Sequence, residues 1–237
     1  MLKAVLTGHT KGLGAAIAAD LLARGIAVLG LARGQASAPA LVQVEIDLAD
    51  SAALAAWLAG PALKDWLAGA DTVLLINNAG TVQPVGPLAT QDALVVARAI
   101  AVNVAAPLML SSAVAAARGP QAACRIVHVS SGAARNAYPG WSVYCATKAA
   151  LDQHARAVAI DQNRDLRICS LAPGVIDTGM QAEIRATALA RFPLRPRFDA
   201  LLQEGALAAP EQCAQRLVSY LLGDRFGAVP VEDLRAV

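Results

Sequence analysis

The fold of this chain is set by residues 4–14, which read AVLTGHTKGLG. A short β-rich run over residues 4–7 leads into glycines at positions 8, 12 and 14, and a helical stretch follows over residues 15–24. A strand, a glycine-rich turn and a helix in this order indicate a dinucleotide-binding unit. The glycines let the backbone turn tightly and approach a pyrophosphate, whose charge the helix N-terminus stabilises. The alternative is a plain turn between a strand and a helix.

Further apolar runs alternate with helical segments along the chain. They read as strands over residues 26–31, 42–46, 72–76, 125–129 and 166–171. Strands joined by helices predict right-handed crossovers and an α/β fold of three layers, a Rossmann-type doubly wound parallel sheet. The 237 residues, 56% apolar and 4% aromatic, fit a single domain over residues 1–237. Residues 226–237 leave room for one short edge strand, since Pro230 limits pairing.

Polar residues and glycines follow the C-terminal ends of these strands. Arg33 follows the second strand, Asp47 the third and Asn78 the fourth. Ser131 follows the fifth strand, and the sixth ends in residues 173–178, PGVIDT. Because ligands of open parallel sheets bind outside the carboxyl ends of the strands, these features are expected to meet at one edge.

The end of the second strand indicates which nicotinamide cofactor the chain binds. A carboxylate here would accept hydrogen bonds from the ribose hydroxyls, but this chain has Arg33, whose guanidinium suits a phosphate. Lys11 adds a second cation, and the two predict NADP(H) rather than NAD(H). The alternative is that both cations are solvated at the surface. Asp47 either hydrogen-bonds an adenine amino group or caps the helix that begins near Ser51.

A tyrosine and a lysine lie four residues apart in YCATK, residues 144–148. On a helix, Tyr144 and Lys148 share one face. An ammonium near a phenol favours the phenolate, so the pKa of Tyr144 is expected to fall below its usual ~10 and suit acid–base chemistry. The preceding strand ends in Ser130 and Ser131, and Ser131 can bring a hydroxyl to the same place. The alternative is a surface helix with an aromatic residue and a solvated lysine.

Two later segments allow two interpretations each. Residues 91–117 read as helical with a step at Asn103 and Pro107. Asn103 either marks a distorted helix whose freed carbonyl holds a water, or is a structural asparagine bonded to its neighbours. Residues 179–204 are less regular and form either a flexible lid over the substrate or packed helices.

Composition argues against several other classes of protein. The net charge is +2 with scattered basic residues, which favours neither nucleic acid nor a membrane surface as a partner. The apolar runs are expected to stop short of a membrane-spanning length. Strand residues directly after Met1 give no sign of a signal peptide, so a cytoplasmic location is expected. The four cysteines form no CxxC and the three histidines have no metal-ligand spacing, so we expect buried thiols and no metal site.

Together these motifs resemble the short-chain dehydrogenase/reductase family over almost the whole chain. The resemblance implies a catalytic set of Asn103, Ser131, Tyr144 and Lys148, and the spacing to Tyr144 favours Ser131 over Ser130. It implies that Tyr144 donates a proton to a carbonyl oxygen that Ser131 polarises, that Lys148 lowers the Tyr144 pKa, and that Asn103 holds a relay water. The implied cofactor-binding residues are Gly8, Thr10, Lys11, Gly12, Leu13, Gly14, Arg33, Asp47, Leu48, Asn78, Ala79, Gly80, Tyr144, Lys148, Pro173, Gly174, Val175, Ile176 and Thr178.

Residues 173–185 and 220–227 are similar to the sepiapterin reductase and benzil reductase subgroup. This similarity implies an NADPH-dependent reduction of a ketone, specifically a 1,2-dicarbonyl. The implied substrate wall comprises Ala133, Tyr138, Trp141, Met180 and Phe192. An alcohol dehydrogenase or 3-oxoacyl reductase with the same core is one alternative, and a non-catalytic NADP(H)-binding sensor is another. The resemblance also implies a homodimer or homotetramer built through the Asn103 and Tyr144 helices, although the tail lacks the family's usual glycine-rich last strand.

Overall fold

The computed structural model describes residues 1–161, 163 and 165–237. Its strands form one parallel sheet in the order β3-β2-β1-β4-β5-β6-β7. Their bounds are β1 Leu2–Thr7, β2 Ala27–Ala32, β3 Val42–Glu45, β4 Thr72–Asn77, β5 Ala123–Val129, β6 Leu166–Ala172 and β7 Val231–Asp233. The strand order reverses beside β1, so β1 and β4 flank the crevice where such sheets bind ligands. The predicted doubly wound sheet is confirmed.

Helices connect the strands and cover both faces of the sheet. Their bounds are α1 Gly12–Ala23, α2 Ser51–Ala59, α3 Ala62–Leu67, α4 Ala93–Ile100, α5 Ala106–Ala117, α6 Ser142–Ile160, α7 Gly179–Ala186, α8 Arg195–Gln203 and α9 Pro210–Leu222. A π-helical segment, Ala101–Ala105, joins α4 to α5.

Successive side chains of the five inner strands, β2, β1, β4, β5 and β6, enter apolar clusters on opposite faces of the sheet. Leu6 of β1 packs in a cluster with Ile17 of α1 and Leu217 of α9. Its neighbour Val5 packs on the other face, in a cluster that also holds Leu54 of α2 and Leu110 of α5. These inner strands are therefore buried on both sides, which explains why they read as apolar runs.

The longest apolar helix runs without a break from α4 through the π-helical segment to the end of α5. This helix, Ala93–Ala117, has 25 residues and a mean hydropathy of 2.0 in its most apolar window, so it is long and apolar enough to span a membrane by those criteria alone. The expectation that every apolar run stops short of such a length is wrong here, because Pro107 does not end the helix. The helix packs against β4 and α6, so it lies in a layer that covers the sheet.

The short edge strand expected in the tail is β7. It pairs in parallel with β6 over three residues, beginning opposite Ser170. Pro230 lies just before it and uses its carbonyl to accept a hydrogen bond from the Ser170 amide (2.8 Å). The proline therefore contributes the one backbone hydrogen-bonding group that it has.

Candidate active site

A cleft of about 880 Å³ opens at the C-terminal edge of the sheet. All the residues predicted to bind the cofactor lie in its walls, and so do Ser131, Tyr144 and Lys148. Asn103 lies behind the wall rather than in it. The sequence features at the strand ends therefore meet in one place, as the topology predicts.

The glycine-rich turn forms one end of this cleft. Gly8 and Gly12 have φ angles of 71° and 54°, a region that favours glycine. A Cβ on Gly14 would overlap the Gly8 carbonyl oxygen, so the turn packs directly against the start of α1. No side chain caps the first N–H groups of α1, whose N-cap is Lys11. Free N–H groups at a helix N-terminus, beside a glycine-rich turn of the backbone, fit the pyrophosphate of a dinucleotide.

Hydrogen bonds hold the glycine-rich turn against the end of β4. The Thr7 hydroxyl accepts hydrogen bonds from the Asn78 and Ala79 amides (2.9 and 3.0 Å). The Asn78 side chain in turn donates to the Thr7 carbonyl (3.0 Å). The N-N-A-G run thus fixes the two strands on either side of the switch point, and the shape of the cleft depends on it.

The far end of the cleft carries several charges. Lys11 and Arg33 are exposed there. Asp47 accepts a hydrogen bond from the Ala49 amide (3.0 Å) and pairs with Arg98 (2.9 Å), and the amide, Arg98 and Arg33 hold the pKa of this carboxyl below its usual value. The helix-cap interpretation of Asp47 is wrong, because Asp50 is the residue that caps α2.

Helix α6 presents Tyr144 and Lys148 to the end of β5. The Lys148 ammonium donates to the Val129 carbonyl (2.8 Å) and lies 5.8 Å from the centre of the Tyr144 ring. Burial raises the pKa of Tyr144 to about 12, and the hydrogen bond with Ser131 opposes the rise. Burial also lowers the pKa of Lys148 to about 8, although Asp152 acts in the opposite direction. The expected lowering of the Tyr144 pKa is therefore wrong, since loss of solvent outweighs the favourable contacts.

The two serines after β5 have different surroundings. Ser131 lies in the cleft wall, where its hydroxyl accepts from the Ala133 amide (3.1 Å). The Ser130 hydroxyl is buried and donates to the Asp152 carboxylate (2.8 Å). The choice of Ser131 therefore agrees with the position of its hydroxyl.

Asn103 lies in the π-helical segment, and the water expected at its freed carbonyl stays a prediction. Its side chain accepts from the Thr81 amide (2.9 Å) and donates to the Thr81 carbonyl (2.8 Å) and the Thr147 hydroxyl (3.1 Å). The side chain is thus structural. The helix is also distorted as expected, with the Ala106 amide bonded to the Ala101 carbonyl five residues earlier.

Aromatic rings form the other end of the cleft. Ala133, Tyr138, Trp141 and Met180 lie in the wall as predicted. Phe192 is the exception, because its ring is 0% exposed and stacks behind Trp141 with a 4.7 Å separation of ring centres. It supports the wall and does not line it.

Several wall residues were not among the predicted site residues, including Val82, Gln83, Arg98, Ile184, Arg197, Leu201 and Arg235, whereas Phe198 lies in the wall as the lid interpretation of its segment implied. The spacing of Leu194, Phe198 and Leu201 is helical and was a usable signal for α8. Arg235 gave no local signal, because only the pairing of β7 with β6 brings the tail to the cleft.

The segment over residues 179–204 holds helices α7 and α8. Across the mouth of the cleft, the Gln83 side chain donates through its Nε2 to the Glu183 carboxylate of α7 (2.7 Å). The packed-helix interpretation describes this arrangement, and movement of the segment as a lid stays a prediction.

Comparison with known proteins gives consistent results. The family model for short chain dehydrogenase matches residues 3–189. A benzil reductase ((S)-benzoin forming) of Bacillus cereus is 32% identical over 235 residues, covering 94% of each chain. A sepiapterin reductase of Meriones unguiculatus is 34% identical over 242 residues, covering 94% of this chain and 92% of the other. The crystal structure of a short-chain dehydrogenase/reductase from Burkholderia vietnamiensis is 51% identical with a TM-score of 0.73, covering 100% of this chain and 98% of that chain.

Proposed function

The chain belongs to the short-chain dehydrogenase/reductase family of oxidoreductases, and we propose that it reduces a ketone to an alcohol with NADPH, with Tyr144 as the proton donor. The observation that carries the proposal is the meeting of Ser131, Tyr144 and Lys148 in the wall of the cleft that the glycine-rich turn opens. A pure binding protein has no need of a buried phenol, hydroxyl and ammonium at that position. The sensor alternative is therefore the weaker one.

The site residues suit the two halves of this reaction. NADPH, when bound, supplies the hydride that adds to the carbonyl carbon. The Tyr144 phenol would give its proton to the carbonyl oxygen, and its pKa of about 12 keeps it protonated at neutral pH. The Ser131 hydroxyl would stabilise charge that develops on that oxygen. After the proton leaves, the Lys148 ammonium would stabilise the phenolate.

The charges at the far end of the cleft support NADPH as the cofactor. Arg33 and Lys11 are exposed in the wall, where a 2′-phosphate would find two cations. Asp47 faces Arg98, and its charge is partly balanced by that pair. Gly8, Gly12 and the start of α1 would hold the pyrophosphate, as their geometry fits it.

The aromatic end of the cleft and the relatives support a 1,2-dicarbonyl substrate. Trp141, Tyr138 and Phe198 offer apolar faces that suit an aromatic diketone. The names of two relatives, benzil reductase and sepiapterin reductase, agree with this class. An alcohol dehydrogenase or a 3-oxoacyl reductase with the same core is the second candidate.

We also propose that the protein forms a homodimer or homotetramer through the outer side of α4 and its neighbour α6. Leu94 is 76% exposed and Ile100 46% exposed on this side, which leaves apolar area that a second copy would cover. A cytoplasmic location goes with this function, since all four cysteines are free thiols. No nucleic acid or membrane partner is proposed.

The test is oxidation of NADPH in the presence of benzil and related 1,2-diketones, beside NADH and simple monoketones. Rapid turnover of diketones with NADPH supports the whole proposal. Turnover of monoketones alone keeps the mechanism and rejects the dicarbonyl class. Tight binding of NADPH with no turnover on any ketone favours the sensor.

A further inference from the structure

Helix α6 contacts the end of β5 with three side chains spaced one turn apart. Tyr144 shares a hydrogen bond with Ser131, and Lys148 donates to the Val129 carbonyl (2.8 Å). Asp152, one turn further on, accepts from the Ser130 hydroxyl (2.8 Å). Residues four apart share one helix face, so three consecutive residues of the strand end are each bound by one turn of the helix. The first two contacts belong to the proposed chemistry, whereas the third has no role in it yet.

The Asp152 carboxylate is a buried anion with a full set of donors. The residue is 1% exposed, and one carboxylate oxygen accepts from both Ser130 and Ser170 (2.8 and 2.7 Å). The other oxygen pairs with the Arg135 guanidinium (3.1 Å). Removing a carboxylate from water is costly, and donors on both oxygens offset that cost. The carboxylate therefore has polar partners on both oxygens inside the fold, next to the proposed catalytic residues.

The same carboxylate links the last three strands of the sheet. Ser130 follows β5 and Ser170 lies in β6. Arg135 also donates to the Glu232 carbonyl of β7 (2.9 Å). Asp152 thus holds the strand end that carries Ser131 against α6 and joins it to the tail. A shift of Ser130 would move Ser131 relative to Tyr144, because the two serines are adjacent.

Asp152 is also the anion that favours the charged form of Lys148. The titratable groups around Lys148 are Tyr144 and Asp152 on α6 and His128 on β5. Tyr144 is neutral, and burial lowers the pKa of His128 to about 3, so His128 is neutral as well. Arg135 is a cation on the far side of Asp152. Among the described residues that face it, Lys148 therefore has one charged neighbour that favours its ammonium form.

We propose that Asp152 is a positioning residue of this active site, which fixes Ser130, and through it Ser131, against α6 and keeps Lys148 in its charged form. The part concerning turnover rests on the proposed reduction, whereas the effect on Lys148 is a property of the protein alone. Asp152 does not touch the reacting atoms and acts through these two neighbours.

The test measures the titration of Lys148 directly in the protein without added ligand. The chain has four lysines, so labelling their ε-carbons gives a simple NMR spectrum, and Lys148→Arg assigns the signal. Asp152→Asn removes the charge at nearly constant size, and we expect the Lys148 midpoint to fall by about one pH unit or more. Ser170→Ala is the matched control, because it removes one donor to the same carboxylate oxygen and leaves the charge. An unchanged midpoint in Asp152→Asn overturns the proposal.

Arg135→Gln keeps the test decisive if Asp152→Asn does not fold. Arg135 is exposed, and losing its positive charge is expected to raise the Lys148 midpoint, which is the opposite direction. A fall or no change in this variant contradicts the proposal.

Turnover provides the second measurement. In Asp152→Asn the alkaline limb of the kcat profile is expected to move to lower pH together with the Lys148 midpoint, while the KM for NADPH below that limb changes by less than about threefold. A uniform loss of kcat at every pH, equal to that of Ser170→Ala, would show that Asp152 only stabilises the structure and would contradict the positioning role. If the wild type reduces no ketone but its Lys148 midpoint responds as expected, the proposed reaction fails and the inference about Lys148 stands.

Discussion

Pro107 lies four residues after Asn103 and lacks the N–H that would bond the Asn103 carbonyl in a regular α-helix. The helix continues past this point through a π-helical turn, and the Asn103 side chain is bonded to the Thr81 backbone on the other side. A local defect and a tertiary contact thus occur at the same residue. The defect changes the backbone bonding there, while the side chain fixes the loop after β4.

Asn103→Ala tests the structural side of this arrangement. The substitution leaves the part-buried Thr81 backbone N–H and carbonyl without the Asn103 side chain, and we expect the free energy of unfolding to fall by about 3 kcal/mol. Urea unfolding of the two proteins measures the difference. Asn136→Ala is the control, since Asn136 is exposed and donates once to the Gly132 carbonyl, and a loss below about 1 kcal/mol is expected. Equal losses in the two variants would contradict the structural role of Asn103.

Tyr144→Phe tests the proton donor. It removes the hydroxyl and keeps the ring, so kcat is expected to fall about 10²- to 10⁴-fold while the affinity for NADPH changes by less than about threefold. Steady-state kinetics and a fluorescence titration with NADPH give the two quantities. Tyr220→Phe, on α9 and outside the cleft wall, is the matched control and should keep its activity. Unchanged turnover in Tyr144→Phe would exclude the phenol from the mechanism.

Arg33→Ala tests the choice of cofactor. Loss of a guanidinium from a phosphate site should raise the KM for NADPH by about tenfold or more and leave the KM for NADH unchanged. Arg98→Ala is expected to behave differently, because it frees Asp47 and affects both cofactors alike. Arg225→Ala, an exposed arginine outside the cleft wall, is the neutral control. An equal effect of Arg33→Ala on both cofactors would count against a 2′-phosphate site.

His128 should make the fold sensitive to acid. Burial is the largest cause that lowers its pKa, from 6.5 to about 3. The Asn77 side chain donates through its Nδ2 to the His128 Nδ1 (3.1 Å), and the His128 Nε2 is bonded to His154 (3.0 Å). Between these two values the unfolded chain binds a proton that the folded chain does not, so stability falls as pH falls, by about 1.4 kcal/mol for each pH unit.

Urea unfolding of the wild type and of His128→Gln across this pH window measures the effect. The variant has no imidazole at this position, so its stability should decline less steeply with acid. Parallel curves for the two proteins would show that His128 is not the source of the sensitivity.

The proposed subunit contact is tested by light scattering. Leu94→Glu together with Ile100→Glu places two charges on the outer side of the α4 helix, and we expect a monomer where the wild type forms a dimer or tetramer. Leu202→Glu on α8 is the control, because it charges a residue that is similarly exposed elsewhere. A wild-type monomer, or an oligomer that survives both charges, would reject this interface.

Local patterns were sufficient to predict most of the sheet and many of the residues that line one end of the cleft. Three of these features come directly after strands in the sequence: the glycine-rich turn, Arg33 and the N-N-A-G run. Parallel strands bring their C-terminal ends to one edge of the sheet, whatever the details of packing. The predicted direction of the Tyr144 pKa shift was wrong, because the pKa depends on burial, a tertiary property that helical spacing does not report. Phe192 was misplaced for a related reason, since an aromatic residue in an irregular segment reads the same whether it faces the cleft or lies behind it. Arg98 and Arg235 were missed because their neighbours in space are distant in sequence.

The stacking of Phe192 behind Trp141 has a practical consequence for any attempt to change which ligands the cleft admits. The indole has a rigid ring at its back, so it has no room to retreat before a bulkier ligand. Trimming Trp141 itself would remove an apolar surface of the cleft wall. Shortening Phe192 to leucine instead would give the indole space to recede and keep its apolar face, so the hidden ring is the place from which to redesign the active-site volume.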